Sequence, residues 1–569
     1  MKGKLENIKA LLKCLYGVHA EKAFGRILAL IEGVELKPQQ REDYFSQEDV
    51  VLITYGDTLQ QRDEFALKTF RRFAGHYFKD VFSHIHFLPF FPYSSDDGFS
   101  VKDFYAVNPE LGDWDMIREI GHDFKLMFDM VLNHISAQSD WFKFYLAGQE
   151  GFADLAIEVD PNTDLSKVTR PRSLPLLTAF KKSPGKTAHV WTTFSADQID
   201  LNYKSLNVLE KMVEVLMHYI NQGATILRLD AIAYLWKEVG TSCIHLKEVH
   251  VMVKLFRALL DVIAPHVILL TETNVPHDEN MAYFGNGRDE AQMVYNFTLP
   301  PLLLYTFIKE DTTVLNQWAK GLRIESDQNT FFNFTASHDG IGVRPLEGIL
   351  PQGEIDRLIE SVRHNGGEVS FKRNIDGSQS PYELNITYVD ALGKYHRGSD
   401  PLHAQRFLAS QTIQYALPGV PATYIHSLLG SRNWTDGVRM TGRARSINRQ
   451  KLDADEVKSQ LGRGKSFQAS IFYAYVRMIK TRRRQPAFHP NATVEILDLD
   501  PRVFALERYC EEQKIYAVTN VSSEAVSFFL PDELPDRINV DLLTDSPVKG
   551  RQVALGPYQS IWLSKEHVR

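Results

Sequence analysis

The sequence predicts an α/β protein. Its main domain is a (β/α)8 or TIM barrel, with a subdomain inserted after strand 3, an N-terminal helical extension and a C-terminal antiparallel β domain. Short apolar runs alternate with amphipathic segments through most of the chain, which is the pattern of buried parallel strands and their covering helices. Several runs end in an acidic residue, where barrel enzymes carry their reactive groups. From about residue 486 the runs become shorter and alternate as in an antiparallel sheet.

Residues 1–48 are predicted to form the helical extension. Ile8, Leu11, Leu12 and Leu15 recur at helical spacing, and a second periodic run covers residues 27–31. We expect these helices to pack on the barrel, and nothing in this segment points to chemistry.

Residues 49–134 and 200–485 are predicted to form the barrel. Its strands are expected at residues 50–57, 84–90, 125–131, 224–230, 267–272, 291–297, 331–337 and 420–426. Helical segments between them give the alternation typical of a parallel barrel.

Two long interruptions of this pattern are predicted to lie over the barrel mouth. Residues 135–199 are too long for a plain loop and are expected to form an inserted subdomain. Residues 340–388, with a Gly-containing piece at 374–377, are expected to shape the acceptor site. Residues 486–569 are expected to form the C-terminal β domain, with strands at 493–497, 503–507, 515–518, 525–529 and 560–563.

Composition narrows the class of protein. The chain has 569 residues, a net charge of −7 and no basic tail, so nucleic acid is not expected as a partner. A basic run at residues 480–484 is interpreted as the solvated end of a helix. The N-terminus is charged and no apolar stretch is long enough to cross a bilayer, so we expect a cytoplasmic protein without a membrane partner. The three cysteines have neither metal-ligand nor disulfide spacing, and no metal or other cofactor is expected.

Three predicted strands carry an acidic residue at or near their carboxyl ends: Asp230, Glu272 and Asp339. Glycosyl transfer with retention needs such a set, because one carboxylate attacks the anomeric carbon while a carboxylic acid about 5 Å away protonates the leaving oxygen. Arg228 precedes Asp230 by two residues, so both side chains point to the same side of the strand. Arg228 would keep Asp230 ionised, although this pair alone is equally consistent with a structural ion pair.

Four short motifs resemble the conserved regions of glycoside hydrolase family 13, the α-amylase family. They are RLDA at residues 228–231, TET at 271–273, SHDG at 337–340 and FDMVLNH at 128–134. The resemblance implies that Asp230 is the nucleophile and Glu272 the general acid and base. It also implies that Asp339 stabilises the transition state by holding sugar hydroxyls.

Further segments across the barrel resemble the sucrose phosphorylase subfamily, in which inorganic phosphate attacks the glucosyl-enzyme instead of water. The resemblance implies that Asp96 binds two glucose hydroxyls and that Phe99 stacks on the ring, although the segment at 94–99 alone is also consistent with an Asx turn. His134, which alone would be interpreted as a core histidine, would donate to a sugar hydroxyl. The other implied sugar-binding residues are Gln198, Arg228, Tyr234, His338 and Arg445.

The same resemblance places Arg172, Tyr382 and Arg445 around the acceptor and the phosphate. Arginine suits this role because its planar donors fit the oxygens of a dianion. The arginines could also form ordinary surface ion pairs of small energetic worth.

The loops at 169–177 and 377–382 and the N-terminal extension are most similar to those of the glucosylglycerate phosphorylases in this subfamily. The implied reaction is the reversible phosphorolysis of 2-O-α-D-glucosyl-D-glycerate, so the expected partners are a glucoside, inorganic phosphate and glycerate. Fructose 6-phosphate is also an anionic acceptor, and charge does not separate it from glycerate. Phosphorylases of sucrose 6'-phosphate, sucrose or glucosylglycerol and a catalytically silent barrel subunit stay open as alternatives. The oligomeric state is also open, with a homodimer as one option.

Overall fold

The computed structural model describes residues 2–33, 43–172, 174–373, 378–394, 400–531, 539–548 and 550–565. Its centre is a closed barrel of eight parallel strands, as the apolar runs predict. The strands are β1 (Val51–Thr54), β2 (His84–Phe87), β3 (Lys125–Val131), β4 (Ala224–Asp230), β5 (Ile268–Thr271), β6 (Met293–Tyr295), β7 (Thr330–Asn333) and β8 (Val420–Tyr424). Each strand pairs with the next in chain order, and β8 closes the barrel on β1.

Helices connect these strands and bury their apolar faces against the barrel. The helix Leu206–Asn221 is typical: the side chain of Ser205 caps its first turn, and its buried residues recur at helical spacing just before β4. The remaining helices between and after the barrel strands are Ala66–Tyr77, Trp114–Ile120, Lys247–Ile263, His277–Met281, Leu299–Lys309, Thr313–Lys320, Tyr388–Ala391, His403–Ala416, Ile425–Leu428, Thr435–Thr441, Ala454–Gly462 and Phe467–Arg483.

The N-terminal extension consists of the helices Lys2–Tyr16 and Ala20–Glu32. The Tyr16 hydroxyl donates to the Tyr203 carbonyl at 2.9 Å, and Arg26 donates to Asn207 at 2.8 Å. These contacts fix the extension to the outside of the barrel near β4, as predicted. Residues 34–42 of the predicted extension lie outside the described part of the chain.

Both long interruptions contain ordered elements over the carboxyl ends of the strands. The first contains the helix Asp140–Ala147, the strand pair His134–Ser136 and Gln198–Asp200, and the hairpin Leu177–Lys181 with Thr187–Trp191. The second contains the helix Gln352–His364 and a three-stranded sheet of Ile341–Gly342, Gln379–Asn385 and Glu368–Arg373. The predicted Gly-containing piece at 374–377 lies outside the described residues.

The C-terminal region is an antiparallel β domain, as predicted. Its main sheet has the order Thr493–Asp500, Val503–Tyr509, Lys514–Asn520, Ser560–Ser564, Asn539–Asp541 and Ser546–Val548, and Val526–Phe529 pairs separately with Gln552–Leu555. The residue limits predicted for the domains stay predictions. In the described part of the chain, no helix combines the length and apolarity needed to span a membrane.

The interpretation of the basic run at 480–484 as a solvated helix end is wrong for Arg482. This side chain is fully buried and donates to the carbonyl groups of Gln47, Gly419 and Phe488, at 2.6 to 3.2 Å. A buried guanidinium group is tolerated only when such acceptors replace water. Arg482 therefore joins the last barrel helix to the segments before β1 and β8.

Candidate active site

The strand register brings Asp230 and Glu272 side by side at the carboxyl end of the barrel. Asp230 is the last residue of β4, Glu272 follows β5 directly, and Leu229 pairs with Thr271 one position earlier. The amide of Ala231 donates to Glu272 Oε2 at 3.1 Å. Neighbouring parallel strands lie about 4.8 Å apart, so residues at matching positions carry their side chains close together.

Arg228 is buried beneath the two acids and is shared among carboxyl groups. It donates to Asp230 Oδ1 at 2.9 Å and forms an ion pair with Asp129, and its Nη2 lies 4.0 Å from Glu272 Oε2. Asp129 is held in turn by His86, at 2.8 Å. Arg228 and Asp230 are thus directly paired, and a buried pair of this kind fixes the direction of both side chains.

Asp339 joins this site from a loop. The predicted seventh strand extends to Ser337, but β7 ends at Asn333, so Asp339 lies beyond the barrel wall. Arg445 Nη1 lies 2.5 Å from Asp339 Oδ1, and His338 and Arg449 lie 3.4 and 3.6 Å from it. Burial alone would raise the pKa of Asp339, but the guanidinium groups of Arg445 and Arg449 hold that pKa well below its usual range. Asp339 is therefore ionised at neutral pH.

The other two carboxyl groups are shifted in the opposite direction. Burial is the largest cause and raises the pKa of both Asp230 and Glu272, and neighbouring carboxylates raise each pKa further against the opposing effect of Arg228. The two groups therefore retain a proton at a higher pH than exposed carboxyl groups would. Because Arg228 contacts Asp230 directly and Glu272 only at 4.0 Å, it favours the charge on Asp230 and the proton on Glu272.

All thirteen predicted site residues line one cavity that opens to solvent. They are Asp96, Phe99, His134, Arg172, Gln198, Arg228, Asp230, Tyr234, Glu272, His338, Asp339, Tyr382 and Arg445. The structure thus brings together residues that are separated by up to about 350 positions in the chain. The roles assigned to them stay predictions.

Asp96 and Phe99 belong to a group of polar and aromatic side chains in the cavity lining. Asp96 accepts from Arg172 at 3.1 Å and from Gln198 at 3.4 Å. The Phe99 ring stacks on His338, with ring centres 4.8 Å apart. His134 Nε2 lies 2.9 Å from the Phe99 carbonyl. Polar and aromatic side chains in this arrangement are suited to the hydroxyl groups and the apolar face of one sugar ring.

The two histidines of this group are neutral. Burial lowers the pKa of His134 to about 4 and that of His338 to about 3. A neutral imidazole has one donor and one acceptor nitrogen, so both histidines can hydrogen-bond hydroxyl groups without adding charge to the cavity.

Sequence reasoning missed Asp197, which anchors the segment that contains Asp96. Its carboxylate accepts hydrogen bonds from the hydroxyl groups of Ser94, Ser95 and Ser100, at 2.5 Å from Ser94 and 2.8 Å from Ser100. Asp197 directly precedes Gln198 in the inserted subdomain, so this contact couples the subdomain to the sugar-binding end of the cavity. No local motif marks the contact, because its partners are about 100 residues apart.

Lys237 is a second residue that the motifs did not identify. Its buried ammonium group lies 2.5 Å from Asp200 Oδ2 and donates to Asn133 Oδ1 at 2.6 Å. Burial lowers its pKa, although Asp200 opposes this effect. Lys237 therefore connects the end of β3, the inserted subdomain and the segment that contains Tyr234.

Glu383 places a carboxylate next to the predicted acceptor residue Tyr382. It is buried, follows Tyr382 directly and lines the cavity. Arg445 neutralises it with two hydrogen bonds, of 2.9 and 2.8 Å. Arg445 is thus engaged by Glu383 and Asp339 together, and its side chain is 25% exposed.

Comparison with known proteins agrees with this geometry. The model of the α-amylase catalytic domain matches residues 76–339. A glucosylglycerate phosphorylase from Escherichia coli is 45% identical, over 92% of this chain and 93% of that protein. Another, from Spirochaeta thermophila, is 44% identical over 98% of both chains. The crystal structure of a sucrose 6F-phosphate phosphorylase from Thermoanaerobacter thermosaccharolyticum superposes with a TM-score of 0.74 at 26% identity, covering 89% of this chain and 98% of that one. The barrel fold, the three acidic residues and the similarity over nearly the full length agree with one another. The chain belongs to the α-amylase family, in the branch that contains the glucosylglycerate phosphorylases.

Proposed function

We propose that the protein is a retaining glycoside phosphorylase that converts 2-O-α-D-glucosyl-D-glycerate and phosphate reversibly into α-D-glucose 1-phosphate and D-glycerate. The observation that carries this proposal is the meeting of Asp230, Glu272 and Asp339 in one cavity of a chain 44–45% identical to glucosylglycerate phosphorylases. Asp230 and Glu272 stand at matching positions of adjacent parallel strands, which lie about 4.8 Å apart, and this placement suits the short carboxyl separation of roughly 5 Å that retaining enzymes need.

In the first step, Asp230 attacks the anomeric carbon while protonated Glu272 transfers its proton to the glycosidic oxygen. The bond from that carbon to the glycerate oxygen breaks, glycerate leaves, and a β-glucosyl ester on Asp230 remains. The raised pKa of Glu272 favours its protonated form, and the direct contact with Arg228 favours the ionised form of Asp230 and fixes its direction. Ionised Asp339 would hold sugar hydroxyls in the transition state.

In the second step, phosphate replaces glycerate in the same space. A phosphate oxygen attacks the anomeric carbon from the opposite face, the ester bond to Asp230 breaks, and the attacking oxygen loses its proton to Glu272. Two inversions restore the α configuration in the glucose 1-phosphate, and Glu272 is again protonated for the next turnover.

The sugar-binding role of the remaining cavity residues rests on their contacts. Asp96, His134, Gln198 and His338 would hydrogen-bond the hydroxyl groups of one glucosyl unit, with Phe99 against its ring. Tyr234 and Arg228 would complete this lining. The ion pairs of Arg172 with Asp96 and of Arg449 with Asp97, at 3.1 and 2.5 Å, flank this end and favour a single sugar unit over a chain.

Arg172 and Tyr382 would bind phosphate, with Arg445 behind them. Replacing Arg172 by glutamine should slow phosphorolysis of the glucosyl-enzyme about 10- to 100-fold, because a charged hydrogen bond to phosphate is lost. Hydrolysis of the same intermediate should change little, since water needs no cation. The measurement compares the two rates with α-glucosyl fluoride as donor, with and without phosphate.

Asp96 supplies the matched control, because it is the partner of Arg172 in the structure. Asp96→Asn should slow both rates together, since it weakens binding of the sugar that both reactions share. Equal losses in Arg172→Gln would count against a phosphate contact.

The acceptor is tested with the wild-type enzyme. Incubation with α-glucose 1-phosphate and D-glycerate, glycerol, fructose or fructose 6-phosphate in turn should release phosphate fastest with D-glycerate. One second candidate has specific support, because the superposed crystal structure is that of a sucrose 6F-phosphate phosphorylase. Fastest phosphate release with fructose 6-phosphate would favour that candidate, and no release with any acceptor would favour a silent barrel.

A further inference from the structure

The arginines that line the cavity are already engaged by protein carboxylates. Arg228 is paired with Asp129 and Asp230, and Arg445 with Asp339 and Glu383. Arg172 is the remaining cavity arginine, and its partner is Asp96. Arg172 is proposed to bind phosphate, which leaves the carboxylate of an acceptor without an assigned cation.

Arg344 is such a cation at the rim of the cavity. Ile341 and Gly342 form part of the cavity wall, and the same segment continues directly to Arg344. The guanidinium group is close enough to Tyr234, a cavity residue, to oppose the rise in the pKa of Tyr234 that burial causes. The amide of Val343, which precedes Arg344, donates to the Tyr382 carbonyl at 3.1 Å, so the segment that carries Arg344 is fixed against the cavity wall.

The donors of Arg344 are poorly satisfied. Among the described residues its ion-pair partner is Glu279, with the nearest atoms 3.6 Å apart, and no side chain lies within hydrogen-bonding distance of its guanidinium group. The Arg344 side chain is 21% exposed and that of Glu279 is 44% exposed, so the carboxylate is the outer member of the pair. A half-buried guanidinium group with five donors and one distant partner is suited to a further anion.

Arg344 and Glu279 carry the charges of this cluster. His245 lies 3.2 Å from Glu279, but burial and the nearby Arg344 lower the pKa of His245 to about 4, so this imidazole is neutral at pH 7. On the same cavity wall, Asn274 packs on Gly342, and its buried Oδ1 has no hydrogen-bond partner within the described chain. This wall thus offers a cation and a free acceptor for a hydroxyl group.

We propose that Arg344 binds the carboxylate of the acceptor at the cavity rim, and that it thereby selects a hydroxy acid over a neutral polyol. The proposal rests on the proposed function, because it names the residue that recognises glycerate in that reaction. Arg344 would then bind the acceptor carboxylate, and Arg172 the phosphate.

The test uses the full-length enzyme in the synthetic direction, with α-glucose 1-phosphate as donor and D-glycerate or glycerol as acceptor. Arg344→Gln should raise the KM for D-glycerate about 10- to 100-fold, which is the loss expected for a charged hydrogen bond. The KM for glycerol and the rate of α-glucosyl fluoride hydrolysis should stay within about twofold of wild type, as for a substitution outside the core. The KM of Arg344→Lys for D-glycerate should lie between those of the wild type and Arg344→Gln, because lysine keeps the charge but loses the planar donors.

Glu279→Gln is the matched control, and it does not alter the arginine. Since the Glu279 carboxylate competes with the acceptor for Arg344, its loss should not raise the KM for D-glycerate. A rise equal to that in Arg344→Gln would assign both residues to holding the loop and would overturn the proposal. An equal loss with glycerate and glycerol in Arg344→Gln, or a rise in the KM for phosphate alone, would overturn it too.

Different results would contradict the proposed function and the proposed role of Arg344. If the wild-type enzyme does not use D-glycerate, the proposed function fails. If the wild-type enzyme uses D-glycerate and Arg344→Gln keeps the preference for it over glycerol, only the role of Arg344 fails.

Discussion

Replacing Asp230 by asparagine should lower turnover about 10,000-fold or more, because an amide cannot form the glucosyl ester. Asparagine keeps the shape of the side chain, and Arg228 keeps its second partner, Asp129, so the variant should fold. The measurement is the rate of phosphate release from α-glucose 1-phosphate with D-glycerate, together with the thermal unfolding midpoint.

Arg228→Lys is the control for this variant, since it keeps a positive charge below the two acids but loses the shared planar contact. It should impair catalysis less than Asp230→Asn does. Near wild-type turnover by a well-folded Asp230→Asn protein would remove Asp230 from the role of nucleophile.

Replacing Glu272 by glutamine should cause the second largest loss of turnover, and the size of this loss should depend on the leaving group. Turnover of the glucosylglycerate should fall about 1,000-fold, within the range for loss of a general acid. Release of fluoride from α-glucosyl fluoride should fall much less, because fluoride leaves without a proton. The two rates are measured on the same preparation, and the isosteric glutamine can still accept from the amide of Ala231.

The pH profile provides the control for the Glu272 variant. The first step needs protonated Glu272, and the pKa of this group is raised by burial, so activity should persist above the usual range of a carboxyl group and fall as pH rises through that pKa. Turnover of α-glucosyl fluoride by the wild-type enzyme should lack this decline, because fluoride leaves without a proton, and the residual turnover of the glucosylglycerate by Glu272→Gln should lack it too. Equal losses with both donors and an unchanged alkaline decline would show that Glu272 is not the acid.

Local patterns in the sequence predict much of the fold. The apolar runs before Asp230 and Glu272 predict buried strands, and the strands β4 and β5 lie there within a few residues of the predicted limits. The periodicity of Ile8 and Leu12 likewise predicts the first helix, in which both are buried. These patterns succeed because burial against the barrel acts along one continuous segment.

The predicted limits fail where a buried loop continues a buried strand. β7 ends at Asn333, yet Phe334 and Thr335 remain buried, and Thr335 donates to Gln411 at 2.9 Å. An apolar run indicates burial but not strand pairing. The predicted strand therefore continues beyond the last hydrogen bond to a neighbouring strand. His338 and Asp339 consequently lie on a loop.

The predicted site residues meet in one cavity, but the contacts that support them could not be predicted from the sequence. Asp197, Lys237 and Glu383 are ordinary polar residues outside the catalytic motifs. Their partners lie about 60 to 100 positions away, and the pairings arise only when the inserted segments fold over the barrel. Arg482 is a similar case, since its carbonyl partners come from three separate segments.

The covalent intermediate provides the most direct measurement. The Glu272→Gln variant, treated with α-glucosyl fluoride in the absence of phosphate, should accumulate protein heavier by one glucosyl unit, and proteolysis with mass spectrometry should place that unit on the peptide containing Asp230. Added phosphate should remove it and yield glucose 1-phosphate in the α configuration. A glucosyl unit on another residue, or a β-configured product with no covalent species, would contradict the two-step reaction at Asp230.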